Sequence, residues 1–89
     1  MTSPNTFLLE IVTPEKVFLS KEVEMAVLPA TDGQIGIMPF HAPLITILGE
    51  GTIDVYANNK VVEQYTLQGG FLEMNDNKCV VLAESAAEV

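Results

Sequence analysis

The sequence predicts an all-β domain, a sandwich or a barrel. Apolar and polar residues alternate over short runs, clusters of turn-forming residues interrupt those runs about every 8–12 residues, and no segment carries an apolar stripe at helical spacing. The chain has 89 residues, room for a single domain over 1–89. A domain of this size buries only ~60% of the surface its unfolded chain exposes, so a deep cavity enclosed by this chain alone is not expected.

Taken in order, Phe7, Leu9 and Ile11 alternate with Leu8, Glu10 and Val12 as a first strand. Thr13-Pro14-Glu15 breaks it, and Lys16 to Leu19 makes a short second run. Glu22 to Leu28 alternates again, with Val23, Met25 and Val27 on one side and Glu22, Glu24 and Ala26 on the other. Pro29 to Gly33 is a turn cluster, and Gln34 to Ile37 is short and β-like. Pro39 to Pro43 is irregular, because its two prolines remove donors and restrict the residues before them. Leu44 to Leu48 is apolar, and Gly49-Glu50-Gly51 punctuates it.

The second half reads as paired hairpins. Thr52–Tyr56 and Val61–Leu67 flank Ala57-Asn58-Asn59-Lys60. Phe71–Met74 and Lys78–Ala83 flank Asn75-Asp76-Asn77. Asparagine tolerates the left-handed conformation that a tight hairpin turn needs. Ser85 to Val89 could begin a helix, but the chain stops there.

Charge narrows the function. Twelve acidic residues face four lysines and no arginine, for a net charge of −8. Nucleic-acid binding needs several cations to displace counterions from phosphates, and adsorption to an anionic membrane leaflet needs the same. Neither is expected; a partner should be neutral or basic where it touches. The mean hydropathy of +0.31 separates the chain from disordered acidic tails. One cysteine, Cys79, allows no internal disulfide and no cysteine-based zinc site. The start lacks the basic region of a signal peptide, and no apolar run approaches the ~20 residues that span a bilayer. These features point to a cytoplasmic, reducing compartment.

No catalytic constellation emerges. His41 is the only histidine, and a Cys79–His41 dyad is the one nucleophilic pairing available. Cys79 sits in the strand run with Val80, Val81 and Leu82, where a thiol behaves as a small hydrophobe. His41 is expected to tie down its proline-rich loop by hydrogen bonding or to lie at an interface. Asn75-Asp76-Asn77 lacks the glycine and distal glutamate of a calcium loop and reads as a hairpin turn. Gly49-Glu50-Gly51 and Gly69-Gly70 lack the lysine and hydroxyl of a phosphate cradle. Between strand runs, Gly69-Gly70 suggests a bulge or close backbone approach. No cofactor, metal or catalytic residue is expected.

The least regular segment is the most informative. Gly36-Ile37-Met38-Pro39-Phe40-His41-Ala42-Pro43-Leu44 resembles the signature of the ε subunit of rotary F-type ATP synthases, called δ in mitochondria. Four further segments match in order: Ile11-Val12-Thr13-Pro14-Glu15 with Val17-Phe18, Gly51-Thr52-Ile53, Leu67-Gln68-Gly69-Gly70-Phe71-Leu72-Glu73, and Val80-Val81-Leu82-Ala83-Glu84.

The resemblance covers essentially the whole chain. It implies a flattened, two-sheet antiparallel β-sandwich of about ten short strands without a carboxy-terminal helical hairpin. It also implies a non-catalytic central-stalk subunit. Such a subunit docks onto the γ subunit and the c-ring and couples proton-driven rotation to ATP synthesis, peripheral to the cytoplasmic face of the inner membrane. By position, Thr13, His41, Ala42, Pro43 and Leu44 resemble the γ interface, and Thr31, Asp32, Gly33 and Gln34 the loop that meets the c-ring, where Asp32 could face a basic residue.

Phe40 stands where the family commonly has a small residue, and Lys21 where it commonly has glycine. Many relatives continue into two helices that bind ATP and inhibit hydrolysis; with the chain ending at Val89, both activities are expected to be missing. The alternative is a small β-sandwich ligand- or protein-binding module unrelated to the synthase, which would need a pocket with convergent polar groups.

Overall fold

The computed structural model of the chain describes residues 5–89. It contains eight strands: β1 (Phe7–Val12), β2 (Val17–Val23), β3 (Met25–Ala30), β4 (Gly33–Ile37), β5 (Leu44–Ala57), β6 (Lys60–Asn75), β7 (Lys78–Ala83) and β8 (Ala86–Glu88). Hydrogen bonds connect them in the order β2-β1-β7-β6-β5-β3-β4, with β8 on β6.

The long β5–β6 hairpin is the spine. Its first-and-last portion, where Leu44 to Leu48 face Met74 to Gly70, joins β7, β1 and β2 in one layer. Its middle portion, where Gly51 to Ala57 face Leu67 to Lys60, joins β3, β4 and β8 in the other. The all-β sandwich is therefore the observed fold. Between the layers lie Phe7, Leu9, Ile11, Leu72, Met74 and Val81 from one side and Leu28, Ile37, Ile53, Val55 and Leu67 from the other, all buried. Each such side chain contributes about 1.5–3 kcal/mol by leaving water.

Four details differ from the sequence expectation. Among the described residues eight strands appear rather than about ten, because the glycines read as breaks are bends inside β5 and β6. Gly69 and Gly70, at φ 69° and 144°, let β6 pass from one layer to the other while keeping its ladder. The sheet is not wholly antiparallel: β1 and β7 run parallel, Leu8 opposite Lys78 through Val12 opposite Leu82. The run from Glu22 to Leu28 is two strands, parted at Glu24, so Val23 is buried from β2 but Ala26 and Leu28, not Met25 and Val27, are buried from β3. Finally, residues 86–88 form a strand, since Tyr65, Thr66 and Leu67 offer a free edge to them. A five-residue segment could not have carried the cost of nucleating a helix.

Both hairpin turns are as expected. Asn58 and Asn59 have φ of 54° and 64°, and Asp76 and Asn77 have 51° and 58°. Both are two-residue loops with two left-handed positions, whose twist matches that of the strands they join.

A polar clasp closes one side of the sandwich. Lys21 on β2 pairs with Glu63 on β6, and the Tyr65 hydroxyl donates to Glu63 Oε2 at 3.0 Å. Phe18 meets the Tyr65 ring edge-on at 5.9 Å. The Lys21 hydrogen bond holds the Glu63 carboxyl below its ordinary value of 4.5, outweighing the opposing effect of burial. The clasp's contribution is thus complete above pH 4.5 and is lost as pH falls through the lowered folded value. Glu63→Gln should cost about 1 kcal/mol or less at neutral pH, since both partners are partly solvated, and the gap from wild type should close below pH 4.5 in urea melts.

Candidate functional site: the outer face of the five-strand layer

Along the strands of the β5-β6-β7-β1-β2 layer, alternate residues face the core and the others face outward. Register sets the outward residues in rows. Ile47 lies opposite Phe71, Phe71 opposite Leu82, Leu82 beside Val12, and Val12 opposite Val17. The result is one apolar row across five strands. Ile45 begins the next row, followed by Glu73, Val80, Glu10 and Ser20. Val17, Ile45, Ile47, Phe71 and Leu82 expose between 52 and 71% of their surface. A contiguous exposed apolar strip of this kind is a candidate contact surface. A shallow groove runs along it beside Thr13, Pro14 and the Gly69–Gly70 bend.

The electrostatics around the row are one-sided. Glu73 and Glu84 are exposed beside it. Lysine charge is largely spent within the chain: Lys78 pairs with Glu10 at 3.3 Å, Lys21 with Glu63, and Lys16 lies 6.0 Å from the Phe18 ring centre. Glu10 also accepts a 3.0 Å hydrogen bond from Ser20. The face therefore offers apolar area bordered by unneutralised carboxylates, which suits an apolar patch bordered by lysine or arginine.

The residues singled out in the sequence fall into three places. Thr31 and Asp32 form the exposed β3–β4 turn, Gly33 and Gln34 open β4 beside it and are exposed too, and the Thr31 N–H donates to the Ile47 carbonyl at 3.1 Å, so this turn abuts one end of the apolar row. Thr13 abuts the other end but is buried, its hydroxyl donating to the Lys16 carbonyl at 3.2 Å to close the β1–β2 turn. His41, Ala42, Pro43 and Leu44 lie at the opposite strand end of the layer, where Leu44 faces Met74. His41 and Leu44 are half-buried, Ala42 and Pro43 exposed, and Leu44 packs against the core. His41 Nδ1 lies 2.8 Å from the Ala42 carbonyl, the expected tie within its own loop.

Cys79 is fully buried, and burial pushes its thiol up to about 12. A group so rarely ionised is no nucleophile at neutral pH. It should resist alkylation in the folded chain and react once denaturant is added, which mass measurement before and after unfolding would read directly.

Sequence reasoning missed the row itself. Its members lie in segments far apart in the chain, and only the register brings them together. The signal was present as outward apolar residues, Ile45, Ile47, Phe71 and Leu82, in strands whose other face is also apolar.

Comparison with known proteins decides the family. Residues 6–89 match the model of the ATP synthase delta/epsilon chain β-sandwich domain. The chain belongs to the ATP synthase delta/epsilon family. It is 47% identical over 81 residues to the ATP synthase epsilon chain of Granulibacter bethesdensis, covering 91% of this chain and 60% of that one. It is 50% identical over 78 residues to the epsilon chain of Carboxydothermus hydrogenoformans, covering 88% and 58%. The chain thus spans about 60% of the length of these relatives.

Among solved structures, the fold resembles a chain in the Euglena gracilis mitochondrial ATP synthase OSCP/F1/c-ring assembly, with a TM-score of 0.85 at 22% identity over 99% of this chain and 56% of that one. A chain of the Tetrahymena thermophila mitochondrial ATP synthase central stalk and c-ring gives 0.73 at 14% identity, covering 98% and 69%. At those identities the likeness is one of fold. Membership of the delta/epsilon family sets aside the reading of an unrelated binding module.

Proposed function

We propose that this delta/epsilon domain is a non-catalytic docking module of the rotor stalk of an F-type ATP synthase. In this reading the outer face of the five-strand layer seats on the γ subunit. The β3–β4 turn at Thr31 and Asp32, with Gly33 and Gln34 at the start of β4, meets the polar loops of the c-ring. The domain turns with both, so that proton-driven rotation of the ring reaches the catalytic head, and it is held at the membrane surface only through the complex.

The observation that carries this reading is the unbroken apolar row Ile47–Phe71–Leu82–Val12–Val17, bordered by carboxylates and ending beside that turn. Buried apolar area gives such a contact its affinity, and the carboxylates fix orientation by seeking basic groups on γ. His41, Ala42 and Pro43 extend the proposed γ contact at the far strand end, whereas Thr13 and Leu44 act by shaping the face, since one hydroxyl is engaged internally and the other side chain packs inward.

Cysteine cross-linking in an assembled synthase tests both contacts. A cysteine at Leu82 should be trapped with γ and a cysteine at Asp32 with the c subunit. Trapping of neither, with assembly intact, would refute the reading.

A further inference from the structure

The groove beside the Gly69–Gly70 bend lies within the apolar row and has a chemistry of its own. Its volume is about 610 Å³ and it is open to solvent, so it has room for one long side chain but does not enclose a ligand. Ile47, Phe71 and Leu82 line it, each more than half exposed. The bend keeps it clear, because a Cβ at Gly69 would meet nothing within 4 Å.

Its polar lining is sparse. The Thr13 hydroxyl is already spent on the Lys16 carbonyl. Glu84 is the one charged residue in the lining. Val81 and Ala83 are buried while Leu82 and Glu84 are exposed, so Glu84 continues the outward side of β7. Its backbone is held against the bend: the Glu84 N–H donates to the Gly69 carbonyl at 3.4 Å, and the Gln68 N–H donates to the Ser85 carbonyl at 3.2 Å. Among the described residues, the carboxylates with a lysine at ion-pairing distance are Glu63 and Glu10, not Glu84. Lys16 lies by Phe18, and Lys60 belongs to the β5–β6 turn of the other layer. A fixed carboxylate thus stands at an apolar groove with no cation of this chain to meet it.

We propose that the groove receives one lysine or arginine side chain of the γ subunit, its aliphatic stem along Ile47, Phe71 and Leu82 and its charged head on the Glu84 carboxylate; this rests on the docking reading above. Long basic side chains bury their stems on apolar surface and carry their charge to its edge. A wholly apolar side chain would fill the groove but leave Glu84 desolvated and unpaired. A second copy of this chain is a poor occupant, since it would set its own Glu73 and Glu84 against the same carboxylates. A groove and carboxylate already in place lose little freedom on binding, so this one pair carries much of the orientation of the complex.

The test compares Glu84→Gln with Glu73→Gln, a carboxylate on the same face but outside the groove. Each variant and the wild type is titrated with the cognate γ subunit by calorimetry, and each free chain is melted and sedimented. Glu84→Gln should bind γ about tenfold more weakly, by loss of a charge-assisted hydrogen bond, and Glu73→Gln should lose clearly less. Glu84→Lys should bind more weakly still. Both glutamines should melt within a few degrees of wild type, because both positions are exposed. A loss at Glu84→Gln no larger than that at Glu73→Gln would overturn the groove assignment and leave the docking face standing. A wild-type dimer that Glu84→Gln dissolves would overturn it in favour of a second copy. Failure of the wild-type chain to bind γ at all would overturn the docking reading and the groove assignment with it.

Discussion

Gly70→Ala should destabilise the domain by about 3 kcal/mol or more, lowering its melting temperature by roughly 12–24 °C. Gly70 sits in the bend of β6 at φ 144°, with Leu48 on one side and Ala83 on the other. A Cβ built there would lie 2.0 Å from the Leu82 carbonyl oxygen and 3.0 Å from the Ala83 Cα. Both obstacles are backbone, so relief requires moving β7 away from β6. That would open the layer that carries the apolar row. Steric overpacking and a backbone conformation foreign to alanine act together, which is why the expected loss exceeds that of an ordinary core substitution. The control is Gly36→Ala, where nothing lies within 4 Å of the added carbon and φ is not positive; it should be near neutral. Calorimetric melts of the two variants beside wild type check the contrast.

Phe71→Asp should abolish most of the affinity for γ while leaving the fold almost untouched. Phe71 is the aromatic member of the row, with Ile47 on one flank and Leu82 on the other, and it is 53% exposed. Its side chain does not enter the core, so the melting temperature should shift by only a few degrees. In the complex the same position would be fully desolvated, and an aspartate there would stand among existing carboxylates with no basic group designed to meet it. Loss of a central aromatic costs about 2–4 kcal/mol, and a buried unpaired charge adds to it, so the affinity should fall at least about a hundredfold. Val62→Asp introduces the same charge at an exposed position on the other layer and should leave binding unchanged.

The contrast between these two sites shows what the sequence made readable. Turns, alternation and the proline-rich loop are local, and they were legible in Asn58-Asn59, in Asp76-Asn77 and in the repeated β-like runs. The bend at Gly69–Gly70 was legible as a close approach, though not that β6 continues through it. The parallel pairing of β1 with β7 was not legible, because nothing local distinguishes a strand's neighbours when they lie 70 residues apart. The break at Glu24 was hidden for a related reason: Val23, Met25 and Val27 form a regular stripe in sequence, and only packing decides that Ala26 and Leu28 turn inward.

The candidate site follows the same division. The segment from Thr31 to Gln34 was singled out because glycine, charge and family resemblance coincide there. Thr13 and Leu44 were singled out by resemblance, and their side chains serve the turn and the core. The apolar row was missed because it is a property of register. Phe40 lay between the two cases. Its departure from a small residue was visible in the sequence, whereas its left-handed backbone and the Asn77 side chain that accepts its N–H required the fold.

In the proposed docking, the outer face of the five-strand layer is the surface that γ covers. Carbene footprinting of the chain, alone and saturated with its cognate γ subunit, measures that coverage side chain by side chain. Labelling of Ile45, Ile47, Phe71 and Leu82 should fall severalfold in the complex while labelling of Val61 and Val62, exposed on the other layer, stays constant. Protection of Val61 and Val62 with unchanged labelling of Phe71 and Leu82 would contradict it.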